Sequence, residues 1–388
     1  MSESFIPLSV PNLKGNELAY VTNAVQTEWV STGGPYVNEF ENRIASYVGV
    51  KGAVSCQNGT SGLHVALLLA GVNREDGVIV PTLTFIAAVN PIRYIGAEPI
   101  FMDCDDSLCM DAKKLRRFCE EECNYDNGKL IERQTGRCIK VVVVVHVFGN
   151  MADMEAIIEV ASDYQLKVVE DATEALGTYY TEGKYKGCYA GTIGDVGVYS
   201  FNGNKIITTG GGGMIVSRHT EYLERAKHLT TQAKSDELYY THDEIGYNYR
   251  MTNLQAALGL AQIEQLEKFI TIKANNYNLY CEAFSNSGKI KILKARENIR
   301  WNCWFYALLC KEGKEARDTL IHELAKRKIQ TRPIWGLIHE QLPYEGAKTY
   351  QIKCSKFYID HIVNIPCSSN LQAEDVERVI LEVKSIVS

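Results

Sequence analysis

Lys205 lies where a reactive side chain could be presented to a bound molecule. It falls between two patterns predicted as short strands, Val196–Ser200 and Gly213–Ser217. Irregular backbone between strands is a common location for catalytic groups. The four consecutive glycines at positions 210–213 favour backbone that passes close to a bound group or adopts positive φ angles. We therefore expect an active site around this turn.

The surroundings of Lys205 favour an amine that loses its proton easily, as a lysine that forms a covalent imine must. Ser200 precedes it, Thr208 and Thr209 follow it, and the flanking residues are apolar rather than charged. The alternative is a solvated loop lysine, which this environment disfavours.

Asp171 ends an apolar stretch, residues 166–171, that is predicted as a buried strand. From that position its carboxylate could accept a hydrogen bond from the pyridinium nitrogen of pyridoxal phosphate and keep the ring protonated, so that the ring withdraws electrons. The alternative interpretation is a helix N-cap, since a helix could begin at Ala172. Asp171 and Lys205 together are the two protein groups that this cofactor needs.

An anion site is predicted where the strand pattern Gly52–Cys56 is followed by a small-residue turn and a helical pattern. The free amides at the start of such a helix point at a bound anion, and Thr60 and Ser61 add hydroxyl groups. The alternative is that Thr60 only caps the helix.

A second candidate position follows the uniformly apolar residues 141–145, which are predicted as a strand buried on both faces. His146 comes directly after this strand, where ligands bind in open α/β sheets. We retain His146 as a candidate for substrate contact, but we prefer its interpretation as a buried or supporting histidine.

The chain of 388 residues can bury one large core and a smaller one. Alternating strands and helices predict an α/β fold with a largely parallel sheet and helices on both faces. The pattern changes near the capping-box sequence at 252–255, after which a long helix and a strand near residues 300–310 are predicted. We predict a large domain over residues 1–245 and a small α+β domain over residues 246–388.

The composition narrows the class of protein. A net charge of −6 without long single-sign runs argues against nucleic acid as a partner, and no glycine run continues into a P-loop. Twelve cysteines without a CxxC pair are expected to be reduced, and no metal site is predicted. With neither a signal-peptide pattern nor a membrane-span pattern, we expect a cytoplasmic protein that does not bind membranes.

Three segments carry a resemblance to a known family. They read Glu-Asp-Ala-Thr-Glu at 170–174, Ser-Phe-Asn-Gly-Asn-Lys at 200–205 before the glycine run, and Gly-Tyr-Asn-Tyr-Arg-Met at 246–251. With them, nearly the whole chain resembles the sugar-nucleotide aminotransferases of the DegT/DnrJ/EryC1/StrS family. The resemblance implies the aspartate-aminotransferase-like fold of type I pyridoxal-phosphate enzymes.

The resemblance also implies roles for individual residues. Lys205 would bond covalently to pyridoxal phosphate and later move a proton, and Phe85 would stack on the ring that Asp171 holds. The family binds the cofactor phosphate at positions matching Gly59, Thr60, Ser61 and Ser200.

Glu174 would lie beside the phenolic oxygen of the cofactor, where the family often has Gln or His. A carboxylate at that place would be repelled unless it or the oxygen holds a proton.

A homodimer with shared active sites is a further implication of the resemblance. In the family, positions matching Asn248 and Arg250 reach the site of the neighbouring subunit and bind the phosphate and an anionic substrate group. A planar guanidinium suits a carboxylate or phosphate because it can bond two oxygens at once. The turn containing Ser31 and Thr32 borders the family's substrate pocket, although both residues could be ordinary turn hydroxyls. Further along the chain, Arg332 and Trp335 are candidate substrate contacts.

The sequences at 202–205 and 331–335 are most similar to the branch that makes 4-amino-4,6-dideoxy-N-acetylglucosamine nucleotides for legionaminic acid or bacillosamine. They imply transfer of nitrogen from L-glutamate to C4 of a UDP-linked 4-keto sugar. The alternatives are a C3-aminating enzyme, an enzyme of GDP- or dTDP-sugars, and a silent sugar-nucleotide-binding protein. A dehydratase of the same family is disfavoured, because such relatives replace the lysine with histidine.

Overall fold

A mixed sheet of ten strands forms the centre of the computed structural model, which describes residues 4–236 and 238–387. Within these residues the strands are β1 (Gly52–Cys56), β2 (Gly77–Pro81), β3 (Glu98–Met102), β4 (Cys123–Asp126), β5 (Lys129–Glu132), β6 (Cys138–Val145), β7 (Lys167–Asp171), β8 (Tyr179–Tyr180), β9 (Val196–Ser200), β10 (Gly213–Ser217), β11 (Lys234–Asp236), β12 (Thr241–His242), β13 (Ile290–Ile292), β14 (Ile299–Arg300), β15 (Tyr306–Cys310), β16 (Arg332–Pro333), β17 (Thr349–Tyr350) and β18 (Ile362–Ile365).

The helices of the same residues are α1 (Glu17–Gln26), α2 (Pro35–Val48), α3 (Gly59–Leu69), α4 (Asn90–Ile95), α5 (Ala112–Glu122), α6 (Met154–Asp163), α7 (Thr220–Thr230), α8 (Asn253–Ile263), α9 (Leu266–Phe284), α10 (Lys314–Lys326), α11 (Cys354–His361) and α12 (Ala373–Val387). No helix among the described residues is long and apolar enough to cross a membrane.

The large sheet runs in the order β1-β10-β9-β7-β6-β2-β3-β17, and the β4–β5 hairpin joins it through β6. All neighbours from β9 to β17 are parallel, whereas β10 is antiparallel to both β1 and β9. The predicted α/β class with a mostly parallel sheet is confirmed, with an antiparallel edge. The turn between β9 and β10 contains no helix that could return the chain for a parallel pairing.

The carboxyl ends of the central strands meet at one edge of this sheet. Val145 at the end of β6 pairs with Asp171 at the end of β7, and Asp171 pairs with Val198 near the end of β9. The valines of β6 are buried, as their uniformly apolar sequence predicted for a central strand. This register brings Asp171 and the turn after β9 to the crevice in which α/β proteins bind ligands.

The C-terminal part contains a separate antiparallel sheet with the order β13-β15-β18-β16. It forms the smaller α+β portion that the sequence predicted. Contacts nevertheless cross the predicted boundary at residues 245–246: β17 pairs with β3, Ile6 bridges Ile329, and α8 packs against α1 and α2. The exact domain limits therefore stay a prediction.

Candidate active site

A cavity of about 300 Å³ lies at the carboxyl ends of the central strands, and we call it the lysine cavity. Its lining includes eight residues that the sequence marked as candidates: Gly59, Thr60, Phe85, Asp171, Glu174, Ser200, Lys205 and Trp335. They come from positions as far apart as α3 and the segment after β16. The fold thus brings together groups that are distant in the sequence.

Lys205 lies on the turn between β9 and β10, and its amine points between a carboxylate and an aromatic ring. Its Nζ is 3.4 Å from Oε1 of Glu174 and 4.4 Å from the centre of the Trp304 ring. The glycines that follow behave as expected, since Gly210 and Gly212 have φ angles of 77° and 107°. The turn therefore has the close approach and unusual backbone that the glycine run predicted.

Asp171 is buried at the end of β7, and burial raises the pKa of its carboxyl group. Its Oδ1 accepts a hydrogen bond from the amide of Thr173 at 3.1 Å. The N-cap interpretation is wrong, because residues 172–178 form turns rather than a helix. A buried carboxyl group of this kind is stabilised in its charged form by a cation, and the protonated nitrogen of a pyridine ring would supply one.

The start of α3 has the geometry of an anion site. Asn58 is the N-cap, and its side chain accepts from the amide of Ser61 at 2.8 Å, so the interpretation of Thr60 as the cap is wrong. Gly59 faces Ser200 so closely that a Cβ on the glycine would lie 2.9 Å from the serine Cβ. The helix dipole and the first amides of the helix favour an anion here, beside the Thr60 and Ser200 hydroxyls.

Glu174 lies between Lys205 and the backbone of Phe148, whose amide donates to Oε2 at 2.8 Å. Burial, and to a smaller extent the neighbouring Asp171, raises the pKa of Glu174, while Lys205 and the Phe148 amide lower it; the net pKa is about 7. A carboxyl group with this pKa holds a proton for much of the time near neutral pH. It can therefore donate a hydrogen bond to an oxyanion, which removes the repulsion expected for a glutamate at this position.

Aromatic side chains form one wall of the lysine cavity. Phe85 remains 54% exposed and lies 6.4 Å from Trp335, measured between ring centres. Trp304 also lines the cavity, and sequence reasoning missed it. Residues near 300–310 were predicted as strand, but residues 301–305 are irregular and Cys303 has a φ of 54°. A tryptophan within a region predicted as strand carried no signal that would have associated it with Lys205.

His146 does not line the lysine cavity. The ring is fully buried, with Nε2 2.9 Å from Oε2 of Glu170, and Nδ1 accepts from the amide of Ala152 at 3.2 Å. With both nitrogens engaged, His146 is not available to a substrate in this structure. The preferred interpretation as a buried, supporting histidine agrees with this position.

A second cavity, of about 250 Å³, contains Thr32 and Arg250, and we call it the arginine cavity. Lys227 and Lys234 also line it, which makes its surface cationic. Arg250 donates to Oδ1 of Asn248 at 3.2 Å, and within the described part of the chain no carboxylate lies within ion-pair distance of it.

The remaining substrate candidates lie outside both cavities. Ser31 accepts a hydrogen bond from the amide of Asn253 through its backbone carbonyl, beside Thr32. Arg332 is exposed on β16 and lines neither cavity. Within one chain, therefore, most of the predicted cofactor residues line the lysine cavity, whereas Ser61, Asn248 and most predicted substrate contacts do not.

The residues of the lysine cavity fit pyridoxal phosphate. A buried carboxyl group can face the ring nitrogen, a lysine can bond to the aldehyde carbon, and a helix start with two hydroxyls can hold the phosphate. Phe85 can cover the ring face. Each of these groups lines the same cavity of about 300 Å³.

Comparisons with known proteins agree with this chemistry. The profile described as "DegT/DnrJ/EryC1/StrS aminotransferase family" matches residues 11–384. The GDP-perosamine synthase of Escherichia coli O157:H7 is 37% identical over 372 residues, covering 96% of both chains. The corresponding enzyme of Caulobacter vibrioides is 35% identical and covers 98% of both.

Two further similarities extend the comparison. The UDP-4-amino-4,6-dideoxy-N-acetyl-beta-L-altrosamine transaminase of Campylobacter jejuni is 27% identical, covering 96% of this chain and 95% of its own. The crystal structure of the aminotransferase TlmJ from Streptoalloteichus hindustanus matches 99% of both chains with a TM-score of 0.88 and 26% identity. The chain therefore belongs to the DegT/DnrJ/EryC1/StrS aminotransferase family, and it is a pyridoxal-phosphate-dependent aminotransferase of nucleotide sugars.

Proposed function

We propose that this enzyme transfers the amino group of L-glutamate to C4 of a UDP-linked 4-keto-6-deoxy-N-acetylhexosamine. The products are 2-oxoglutarate and a UDP-linked 4-amino-4,6-dideoxy-N-acetylglucosamine-type sugar for a surface glycan. The proposal of amino transfer rests on one observation: Lys205, Glu174 and Asp171 line the same cavity.

Lys205 is assigned the covalent bond to the cofactor and the movement of the substrate proton. Pyridoxal phosphate supplies an electron-withdrawing ring that stabilises negative charge on the reacting carbon. Asp171 accepts a hydrogen bond from the ring nitrogen, and Glu174 donates one to the phenolic oxygen. Phe85 covers the ring face. The phosphate binds to Gly59, Thr60, Ser61 and Ser200.

The residues of the lysine cavity explain the chemistry of amino transfer, but they do not explain how two anionic substrates are bound. L-glutamate carries two carboxylates and a nucleotide sugar carries a diphosphate, yet the cationic group proposed for them, Arg250, lies in the arginine cavity. We therefore propose that a second copy of the chain brings its Asn248 and Arg250 to the lysine cavity. The exposed apolar side chains of the preceding segment, Leu238 at 76% and Ile245 at 84%, support burial against a partner.

The identity of the sugar substrate is the more specific part of the proposal. The choice of C4 and an N-acetyl group rests on the similarity of residues 202–205 and 331–335 to one branch of the family, and the Campylobacter relative acts on a sugar of this class. A second candidate is a GDP-linked 4-keto-6-deoxyhexose without the N-acetyl group. It is favoured by the higher identity to two GDP-perosamine synthases.

A panel of substrates distinguishes the two candidates. The purified enzyme is given pyridoxal phosphate, L-glutamate and either the UDP-linked N-acetyl 4-keto sugar, the GDP-linked 4-keto sugar or a dTDP-linked 3-keto sugar. Mass spectrometry and NMR then identify the amino sugar, with Lys205→Ala protein as the blank. We expect nitrogen at C4 of the UDP-linked sugar; efficient turnover only of the GDP-linked sugar, or nitrogen at C3, would overturn the proposed substrate.

A further inference from the structure

Trp304 makes two contacts with the turn that carries Lys205. Its ring lies 4.4 Å beneath the lysine Nζ, and its indole Nε1 donates to the backbone carbonyl of Asn204 at 2.7 Å. An ammonium within about 6 Å of an indole ring is attracted by the negative face of the ring. Trp304 thus contacts both the reactive amine and the backbone that carries it.

The backbone of Trp304 explains why the ring faces the lysine. Residues 301–305 leave the strand conformation between β14 and β15, and Cys303 adopts a left-handed φ of 54°. As a result, the neighbouring rings of Trp304 and Phe305 stack at 4.0 Å with an angle of 4°, instead of pointing to opposite sides as in a strand. Asn302 holds this geometry by accepting from the Trp304 amide at 3.0 Å.

Trp304 is held in place by the packing around it. Only 2% of its surface is exposed, and its ring packs near the ring of Phe148. The Nδ2 group of Asn302 donates to the carbonyl of Glu174 at 2.8 Å, so the same segment fixes the residue on the other side of the amine. Asn302 and Trp304 together therefore set the space in which the Lys205 amine can lie.

We propose that Trp304 is a positioning residue that holds the free amine of Lys205 between its ring and Glu174 while the lysine moves the substrate proton. This inference rests on the proposed role of Lys205. The ring provides a face for the amine when it carries a proton, and the indole N–H keeps the turn from shifting. Loss of Trp304 leaves the amine present but no longer covered or confined.

The first test uses the protein without cofactor. Trace acetylation with acetic anhydride, followed by peptide mass spectrometry, gives the reactivity of Lys205 relative to exposed Lys51. We expect Trp304→Leu to raise the relative reactivity of Lys205 about tenfold, because the ring no longer covers the amine. Trp304→Phe keeps an aromatic face and loses only the N–H donor, and we expect a rise of about threefold.

The second test measures the proton transfer. In the half-reaction with L-glutamate, the rate is compared for substrate with hydrogen or deuterium on the α-carbon. We expect Trp304→Phe to lower kcat about tenfold with little change in KM and to increase the deuterium isotope effect, because proton transfer becomes slower than the other steps. A residue with only a structural role would lower the amount of active enzyme and leave the isotope effect unchanged.

Trp301→Phe is the matched control, because Trp301 is on the same segment and also donates its indole N–H to a backbone carbonyl, that of Phe148. It is expected to leave both readouts at the wild-type values. The inference is overturned if Lys205 reacts at the wild-type rate in Trp304→Phe and Trp304→Leu proteins, or if the isotope effect does not change. Turnover by Lys205→Ala protein would instead overturn the proposed function, whatever the acetylation rates.

Discussion

The lysine cavity and the arginine cavity differ in the elements that build them. The first is formed mainly at the ends of buried strands, and its key groups, Asp171 and Glu174, are buried. The second is formed by hydroxyl, apolar and cationic side chains around the half-buried Arg250. We assign the amino-transfer chemistry, which needs fixed geometry and a shifted pKa, to the lysine cavity. We assign the recognition of the anionic substrates to the arginine cavity. The two are expected to combine only when a second subunit is present.

The largest effect is expected from removing the amine of the lysine cavity. Lys205→Ala protein should lose turnover by about ten-thousand-fold or more, because both the covalent link and the proton carrier are absent. Steady-state formation of 2-oxoglutarate measures this loss. Lys186→Ala, at an exposed lysine, is the control and should retain activity. The variant should still bind the cofactor without a covalent bond, so retained turnover would contradict the role of Lys205.

The second largest effect is expected from changing Asp171, the residue assigned to the ring nitrogen of the cofactor. Asp171→Asn protein should lose about 100-fold or more of its turnover, because an amide cannot stabilise a positive charge on the nitrogen. The same assay measures it, with Asp163→Asn as a surface control. Near-normal turnover of the Asp171 variant would refute the assignment of this carboxylate to the cofactor.

A smaller effect is expected in the arginine cavity, where recognition rather than chemistry is assigned. Arg250→Ala should raise KM about tenfold to 100-fold for the anionic substrates, since a charge-assisted contact is lost. Mixing this variant with Lys205→Ala subunits at substrate concentrations well below the raised KM, where both variants are slow, tests the sharing of sites. Hybrid dimers should recover part of the turnover, because one of their two sites keeps both residues. No recovery despite measured exchange of subunits would show that each chain uses its own arginine.

The smallest effect is a pH dependence of stability from Glu174. Its pKa is raised from 4.5 in the unfolded chain to about 7, so the folded protein without cofactor binds more protons between these values. The contribution is present below pH 4.5 and is lost as the pH rises through about 7. The loss amounts to about 3 kcal/mol in the free energy of unfolding. Urea unfolding at several pH values should show this decline relative to Glu174→Gln protein, and parallel curves for the two proteins would refute it.

The sequence predicted the lysine cavity better than the arginine cavity for a physical reason. Strand ends such as Asp171 follow from an apolar pattern, and the turn at Lys205 follows from its glycines. The buried strands then fix which groups meet. By contrast, we propose that Arg250 acts at the site of a second subunit, and neither its sequence pattern nor one folded chain identifies such a partner.

Two residues mark the limits of the sequence patterns inside the lysine cavity. Trp304 falls in a region predicted as strand, but the positive φ at Cys303 turns it towards the lysine. Glu174 was identified from the sequence, but its raised pKa follows from its burial, which only the folded structure shows. Local pattern thus predicted the elements, and tertiary packing determined the electrostatics.

The most direct test of the account asks which lysine bonds to the cofactor. The enzyme with bound pyridoxal phosphate is reduced with borohydride, digested, and its peptides are mapped by mass spectrometry. We expect a pyridoxyl group on Lys205, the lysine that lies 3.4 Å from Glu174. A pyridoxyl group on any other lysine would contradict the central assignment.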